Sequence, residues 1–589
     1  MNKDFSRFKW IWSKMKGHHG MYILGMILTV LYNIMQLTIP FFSKIIIDEF
    51  LTGPDAEYNL AHDTKRFVIY VLAMVVVTFV RTAIVYYACM CYESVSQKTL
   101  YNIRNELFYK IQHQDMKFYD RFRTGDLMTR LTGDLDAVRH MIAWVIRMLI
   151  ECFVLFGATA VYFFILDAKV AACLLIMTPV IMFLNMLFKK RVAPMHNELR
   201  EQLSRMNTAT QENISGNRIV KAFAREDYEI ARFRERNVAY SKCNKKTMLE
   251  WLRFFPFVQI IVNILPIILL VVGGLEMIDG TLLSGSYIAF SMLIWAIANP
   301  MQQLGNILNE FQRFSSACAK VVELEEAEPE IVNAPNAIVP KERLKGKIEF
   351  RDVSFSYDGQ LVLDHVNVTI NPGETVAIMG ETGSGKTSMI QLIPRFYDPD
   401  DGVVCVDGID VKDYSLEDLR RNIGLATQDV LLYSDTIEGN IAFGNSAMPI
   451  EIVKEYARNA VASEFIEKLP DQYNTIIGER GVGLSGGQKQ RLSLARAMAI
   501  EPAILILDDT TSAVDMETES EIEEHLKNLH FPCTKIIIAQ RISATKNADK
   551  ILIISGGRIV EEGTHEELIA QRGYYYENVM LQTGGEIDG

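Results

Sequence analysis

Apolar residues dominate six long stretches before residue 310, at about 21–47, 67–92, 142–166, 170–188, 254–278 and 282–308. Each approaches the ~20 residues a helix needs to cross a bilayer. A buried helix of a water-soluble bundle keeps a polar stripe. A run such as Val68–Val80 keeps almost none, so the pattern predicts six membrane spans. Between spans, Lys98–Gln114 and Asn197–Tyr240 show little turn chemistry and read as polar helices continuing the spans. Twenty such residues would reach ~30 Å beyond the bilayer. Each connection has a short irregular stretch, at Phe118–Gly125 and near Ala222–Tyr228, where a helical hairpin can turn. Ahead of the first span, Asp4–Lys16 interleaves Phe5, Phe8, Ile11, Trp12 and Met15 with basic residues, the pattern of a helix lying in the membrane interface. No signal-peptide pattern is clear, so no processing is expected. From Lys347 the pattern changes to short β-rich runs separated by Gly and Asp. The chain therefore divides into an interfacial helix (1–20), a six-span α-helical transmembrane domain (21–325), a linker (326–346) and an α/β domain (347–589).

Composition agrees with a membrane-embedded half. Of 589 residues 49% are hydrophobic and 22% charged, and the mean hydropathy is +0.10. The eight cysteines are scattered, with no zinc-ligand frame, and Cys89 and Cys91 lie in an apolar run as core thiols. A disulfide-stapled secreted domain, a disordered chain and a zinc module are thereby excluded. The net charge of -12 is uneven: residues 1–339 carry +5 and the remainder -17. An acidic C-terminal half argues against nucleic acid as a partner, which needs clustered positive charge. Lys and Arg concentrate in the N-terminal segment and in the connections after the second and fourth spans, eight in one and fifteen in the other. The opposite connections hold only Lys65, Arg66 and Lys169. The positive-inside rule then predicts that both termini are cytoplasmic.

The α/β half carries the chemistry. Glu374–Met379 reads as a buried strand, followed by Gly380, Glu381, Thr382, Gly383, Ser384, Gly385, Lys386, Thr387 and Ser388, and then by a helical stretch. This is G-x-x-x-x-G-K-[ST] in the strand–loop–helix context that gives it meaning. Backbone N–H groups of such a loop curl around phosphate oxygens at a helix N-terminus. Lys386 is expected to reach the β- and γ-phosphates of ATP, and Thr387 to ligate Mg²⁺. Ala503–Asp509 reads as a second buried strand whose C-terminal end brings Asp508 beside the phosphates as the carboxylate associated with Mg²⁺.

Between these two lies Leu484-Ser485-Gly486-Gly487-Gln488, preceded by Gly478-Glu479-Arg480-Gly481 and followed by a helix from Lys489. With this pentapeptide between the phosphate loop and the second carboxylate, the chain resembles the ABC transporter superfamily. Six spans fused ahead of one nucleotide domain resemble a half-transporter of the bacterial multidrug-exporter type, located in the cell membrane. The resemblance covers nearly the whole chain. It implies that Tyr357, ending the strand Glu349–Tyr357, stacks on adenine. It further implies that Gln428 senses Mg²⁺ and the attacking water, and that Ser512–Asp515 is the loop crossing to a partner's site, with Asp515 in it. Phe118-Tyr119-Asp120, Thr124-Gly125-Asp126 and Val220–Phe223 resemble the coupling-helix neighbourhoods of exporters.

Two positions depart from that family's pattern. The residue after the Mg²⁺ aspartate is ordinarily Glu, the general base; here it is Asp509. The histidine after the later switch strand, Lys535–Ala539, is replaced by Gln540, which can donate a hydrogen bond but cannot become cationic. Asp is one methylene shorter than Glu, setting its carboxylate ~1.5 Å back, and a ~1 Å misplacement can cost ~100-fold in rate. In the family the signature of one chain faces the phosphate loop of another. A weakened own site beside an intact Leu484–Gln488 therefore implies a heterodimer with a homologous half-transporter that carries the catalytic Glu and His. In that pairing this chain binds ATP and hydrolyses it slowly. The resemblance implies membrane lipids and small amphiphilic substrates as further partners; a lipid flippase half-transporter, or a mainly regulatory ATP-binding partner subunit, is the alternative reading. Inside the spans Arg81 and Glu151 lie at similar depth, which suits an ion pair, a shared polar cavity, or two side chains independently reaching water or the interface. Trp295, Asn299, Gln302 and Gln303 are further candidates for a substrate pathway on the sixth span.

Overall fold

The computed structural model describes residues 2–52, 63–478, 481–510 and 512–583. They fall into two compact units. The first is the chain up to Gln112 with Arg123–Ala327; the second is His113–Phe122 with the chain from Glu328 onward.

The first unit is helical. The segment expected to lie in the membrane interface forms α1 (Asn2–Lys14), which buries Ile11, while Met15 just beyond its end is also buried. The first span is broken into α2 (His19–Met35), α3 (Thr38–Ile46) and a π-helical turn, Ile47–Leu51. The second lies in α4 (Thr64–Gln112), a single helix of 49 residues. Along α4 burial begins only at Ala88, whereas Val68, Ile69, Leu72, Val76 and Phe79 are exposed. A continuous apolar surface of that extent suits lipid rather than water. Next come α5 (Met116–Arg121), α6 (Thr124–Thr129), α7 (Leu135–His140) and α8 (Ile146–Leu166), with π-helical turns at Arg130–Asp134 and Met141–Val145. Only Phe122 and Arg123 interrupt the predicted irregular stretch 118–125, because Asp115 caps α5 by accepting from the Phe118 N–H at 2.9 Å.

The fourth span divides at Ile176 between α9 (Ala168–Leu175) and α10 (Met177–Ser215). Then follow α11 (Asn217–Ala222), α12 (Glu226–Ile268), a π-helical turn at Leu269–Gly273, α13 (Gly274–Ile278) and α14 (Ser284–Glu326). Among the described residues His19–Leu51, Thr64–Gln112 and Thr124–Leu166 are long and apolar enough to cross a membrane, and Ala168–Leu184 and Asn263–Ile278 are shorter apolar helices. The polar connections are helical over most of their length, with breaks at His113–Gln114, at Gly216 and at the turn Phe223–Arg225, where Ala224 has φ 49°.

The second unit holds two sheets. Strands β1 (Ile348–Tyr357), β2 (Gln360–Ile370), β4 (Asp401–Val406) and β5 (Ile409–Asp410) form an antiparallel sheet in the order β2-β1-β4-β5. The other runs β10-β9-β3-β8-β7-β6, from β3 (Thr375–Met379), β6 (Ile423–Ala426), β7 (Ile504–Asp508), β8 (Thr534–Ile538), β9 (Lys550–Ser555) and β10 (Arg558–Gly563). All its pairings are parallel save β9–β10. The inner strands β3 and β7 are buried along nearly their whole length without alternation, as parallel strands covered on both faces must be, whereas β8 buries every second residue and the antiparallel edge strand β10 buries none. Val376, Ile378, Ile504, Ile506, Ile536 and Ile538 share one core with Ile348, Phe350 and Val368 of the antiparallel sheet. Each such buried side chain contributes about 1.5–3 kcal/mol.

Candidate nucleotide-binding site

Three neighbouring parallel strands end on the same edge. β3 pairs with β8, and β8 with β7, aligning Ile378, Ile538 and Asp508. The loops that follow therefore converge at the carboxyl end of the sheet, where ligands bind in open α/β folds. After β3 the phosphate loop turns into α15 (Lys386–Leu392), with Gly385 as N-cap at φ 104°. A Cβ there would come within 2.8 Å of Leu363 and 2.9 Å of the Val362 carbonyl, so the turn needs glycine. Glu381, Thr382 and Gly383 are exposed at the loop's outer rim, and Ser384 and Ser388 are buried beneath.

Lys386 Nζ curls back to the carbonyls of Gly380 (2.9 Å) and Glu381 (2.7 Å). Burial holds its ammonium below the ordinary lysine value, while Asp508 and Asp509 pull the other way. Thr387 Oγ1 donates to Asp508 Oδ2 at 3.2 Å. Burial pushes the Asp508 carboxyl up, and the Thr387 hydroxyl opposes that rise. An ammonium folded back onto the loop's carbonyls, beside a hydroxyl–carboxylate pair, fits a polyphosphate with a divalent cation. Phosphate oxygens would replace two weak carbonyl acceptors, and the cation would relieve the buried carboxylate.

Asp509 follows at φ 51°, a left-handed conformation that Asp tolerates better than most residues. Its N–H donates to the Ile538 carbonyl (3.0 Å), and its own carbonyl accepts from Gln490 Nε2 (3.3 Å) and Ser512 Oγ (3.0 Å). The backbone is thus held on two sides. Its carboxylate accepts from Gln428 Nε2 at 3.4 Å, bringing two predicted site residues together. Gln540 is exposed one residue past Ala539, and its carbonyl accepts from Gln582 Nε2 at 2.9 Å. Tyr357 lies half-buried at the end of β1, its hydroxyl donating to Gln391 Oε1 at 2.9 Å. Its ring meets Tyr397 edge-on at 5.3 Å.

The signature opens α20 (Gly486–Ala499). Ser485 is its N-cap in a reciprocal box with Gln488: the Ser485 N–H donates to Gln488 Oε1 (2.8 Å), and the Gln488 N–H to Ser485 Oγ (3.3 Å). Ser485 and Gly486 are exposed, with Leu484 and Gly487 half-buried. A Cβ on Gly487 would lie 2.8 Å from the Ala513 carbonyl, so the signature packs on its own chain's 512–515 loop. Asp515 caps α21 (Met516–Lys527) by accepting from the Thr518 N–H at 3.0 Å. Glu479 and Arg480 lie outside the described residues.

Sequence reasoning overlooked three participants. Gln490 ties Asp509 to the 512–515 loop, its Oε1 accepting from the Ala513 N–H at 3.0 Å. Tyr397 donates to Asp120 at 2.8 Å, within the second unit. Arg147 stands four positions before Glu151, and that i,i+4 spacing was the available signal. Arg81 and Glu151 take different partners rather than each other: Arg81 Nη1 donates to Gln36 Oε1, and Glu151 accepts from the Tyr32 hydroxyl and lies 3.7 Å from Arg147. Trp295 and Asn299 are exposed one turn apart on α14; the Gln302 side chain lies outside the described residues.

A parallel sheet with a phosphate loop and an adjoining aspartate, joined to long apolar helices, defines a membrane-bound nucleotide-binding protein of the P-loop class. A family model of the ABC transporter transmembrane region matches residues 22–301, and one of the ABC transporter matches residues 363–512. The chain is 35% identical to an uncharacterized ABC transporter ATP-binding protein of Bacillus subtilis over 96% of this chain and 95% of that one. It is 33% identical to an ATP-dependent lipid A-core flippase of Syntrophus aciditrophicus (99% and 95%). It is 32% identical to a putative multidrug export ATP-binding/permease protein of Bacillus subtilis (94% and 96%). The solved structure of a bacterial Atm1-family ABC exporter with ATP bound superposes with a TM-score of 0.79 at 25% identity, covering 95% of this chain and 99% of that one. The chain belongs to the ABC transporter family. It is an integral membrane protein with the fold of an ATP-driven exporter, whose ATPase domain couples ATP hydrolysis to transport.

Proposed function

We infer that this chain is the degenerate-site subunit of a heterodimeric exporter in a bacterial cell membrane, moving small amphiphilic compounds outward. Its own site clasps Mg²⁺–ATP through Lys386, Thr387 and Asp508 and turns it over slowly. Its exposed Ser485 and half-buried Gly487 serve the site of a homologous partner that carries Glu and His. The uneven distribution of Lys and Arg supports cytoplasmic termini. Bound magnesium supplies charge neutralisation between the β- and γ-phosphates; the chain supplies position.

One observation carries the reading: the carboxylate where the general base belongs is an aspartate whose backbone is fixed on both sides, by Ile538 and by Gln490 and Ser512. It cannot slide forward to recover the missing methylene. A shortfall of ~1 Å costs ~100-fold, or about 2.7 kcal/mol of barrier. Asp509→Glu in the assembled pair should therefore raise ATP turnover. Unchanged or lower turnover, with ATP affinity intact, contradicts the assignment. The similarity to a chain named a lipid A-core flippase favours a second reading, a lipid-moving half-transporter. ATPase stimulation of the pair by phospholipids but not by amphiphilic drugs would favour it.

A further inference from the structure

Arg147 and Glu151 belong to a polar seam shared by three helices of the first unit. Glu151 accepts a hydrogen bond from the Tyr32 hydroxyl of α2 and lies 3.7 Å from Arg147 Nη1, one turn earlier on α8. Arg147 Nη1 also reaches Cys89 Sγ of α4 at 2.9 Å, and the guanidinium sits 4.7 Å over the Trp144 ring. Eight residues from Cys89, about 12 Å along α4, Arg81 donates to Gln36, which stands one turn beyond Tyr32 on α2. The seam thus continues toward the N-terminal end of α4.

A charge pair kept inside a span is expensive, and its persistence points to use. A pair retained only as a clamp is best made close and fully hydrogen-bonded. Here the 3.7 Å separation exceeds a direct hydrogen bond. Apart from that pair, Glu151 is positioned by the Tyr32 phenol, and Arg147 meets a thiol and the Trp144 ring, none of them a charged partner. The side chains keep 13% and 29% of their surface exposed. Immediately before Arg147 the chain makes the π-helical turn Met141–Val145, which carries Trp144. Such turns are rare and concentrate at functional sites.

We propose that Tyr32, Cys89, Arg147 and Glu151 form a headgroup site for a zwitterionic amphiphile bearing a primary ammonium and an oxyanion. The ammonium binds Glu151, the oxyanion binds Arg147, and Trp144 lies against the segment between them. The site holds one charge of each sign. A zwitterion replaces a loose internal pair with two charge-assisted contacts and adds no net charge. A singly charged amphiphile leaves the opposite site charge unpaired, which selects against it. The proposal rests on the exporter reading for its role as a substrate site, but not for binding.

The test is equilibrium binding to the assembled transporter in phosphatidylcholine nanodiscs without nucleotide. The probes are phosphatidylethanolamine, Nα-lauroyl-lysine, phosphatidylglycerol and dodecylammonium. The unaltered protein should prefer one or both of the first two; which one identifies the oxyanion as phosphate or carboxylate. Glu151→Gln should weaken zwitterion binding about ten- to a hundredfold and shift preference to phosphatidylglycerol. Arg147→Gln should shift it to dodecylammonium. Tyr32→Phe, a gentler change, should keep the thermal midpoint and still weaken the zwitterions. The proposal is overturned by no zwitterion preference in the unaltered protein, or by headgroup preferences unchanged in both Glu151→Gln and Tyr32→Phe. Preserved headgroup selectivity without outward transport of the bound amphiphile would instead count against the exporter reading alone.

Discussion

In the proposed heterodimer, the single methylene that Asp509 lacks divides labour between two chains. Its neighbour Asp508 keeps the hydroxyl partner and the buried position that a cation-binding carboxylate needs. Asp509 itself stands beside Gln428, with its backbone carbonyl accepting from Gln490. Gln540→His should add little by itself, because a switch residue cannot compensate for a base out of reach. Combined with Asp509→Glu it should exceed the gain of Asp509→Glu alone, read as ATP turnover of the assembled pair. The signature serine has two duties. Ser485→Ala removes a reciprocal helix cap, which costs about 1 kcal/mol of stability. The same change should also depress hydrolysis at the partner's site, whereas Ser485→Thr should keep the cap, as differential scanning calorimetry can check.

Among the elements, strand and helix cores were readable because their periodicity is dictated by burial. Ala503–Asp509 reads as a buried strand from four consecutive apolar residues, and the fold places the observed strand, Ile504–Asp508, between two parallel neighbours. The phosphate loop was readable because its chemistry lies in consecutive residues. Contacts between distant residues were not. Nothing near Tyr397 announces that its hydroxyl meets Asp120, 277 positions away. Likewise the partners of Arg81 and Glu151 depend on how three helices rotate about their axes, which equal depth in a span does not specify. Tyr397 links the aromatic cluster around Tyr357 to the 113–122 segment. Tyr397→Phe should leave ATP binding intact and lower the amount of compound exported per ATP hydrolysed, measured in proteoliposomes.

The C-terminal helices α22 (His565–Gln571) and α23 (Tyr574–Thr583) carry a pH-dependent contact. His565 Nδ1 lies 2.7 Å from the Tyr575 hydroxyl, and burial holds its imidazole below the usual histidine value. The unfolded chain therefore binds the proton more readily. The stabilisation is complete above about pH 6.5 and is lost as pH falls from there through the folded value. The midpoint of thermal unfolding should fall over that window, and fall less in His565→Gln.

At the scale of the whole molecule, the balance of weak and intact parts matters most. On the proposed reading, a chain with two departures from the family pattern on its phosphate side and an exposed, well-capped signature suits a partnership better than self-pairing. In a homodimer both composite sites would carry Asp509 and Gln540. With a sibling that carries Glu and His, one composite site has every group in reach. The most direct test is steady-state ATP hydrolysis by the purified chain alone, compared with the same chain assembled with that sibling under equal lipid conditions. Slow turnover alone, despite tight ATP binding, and rapid turnover in the pair is the predicted result. Rapid turnover by the chain paired only with itself would contradict it.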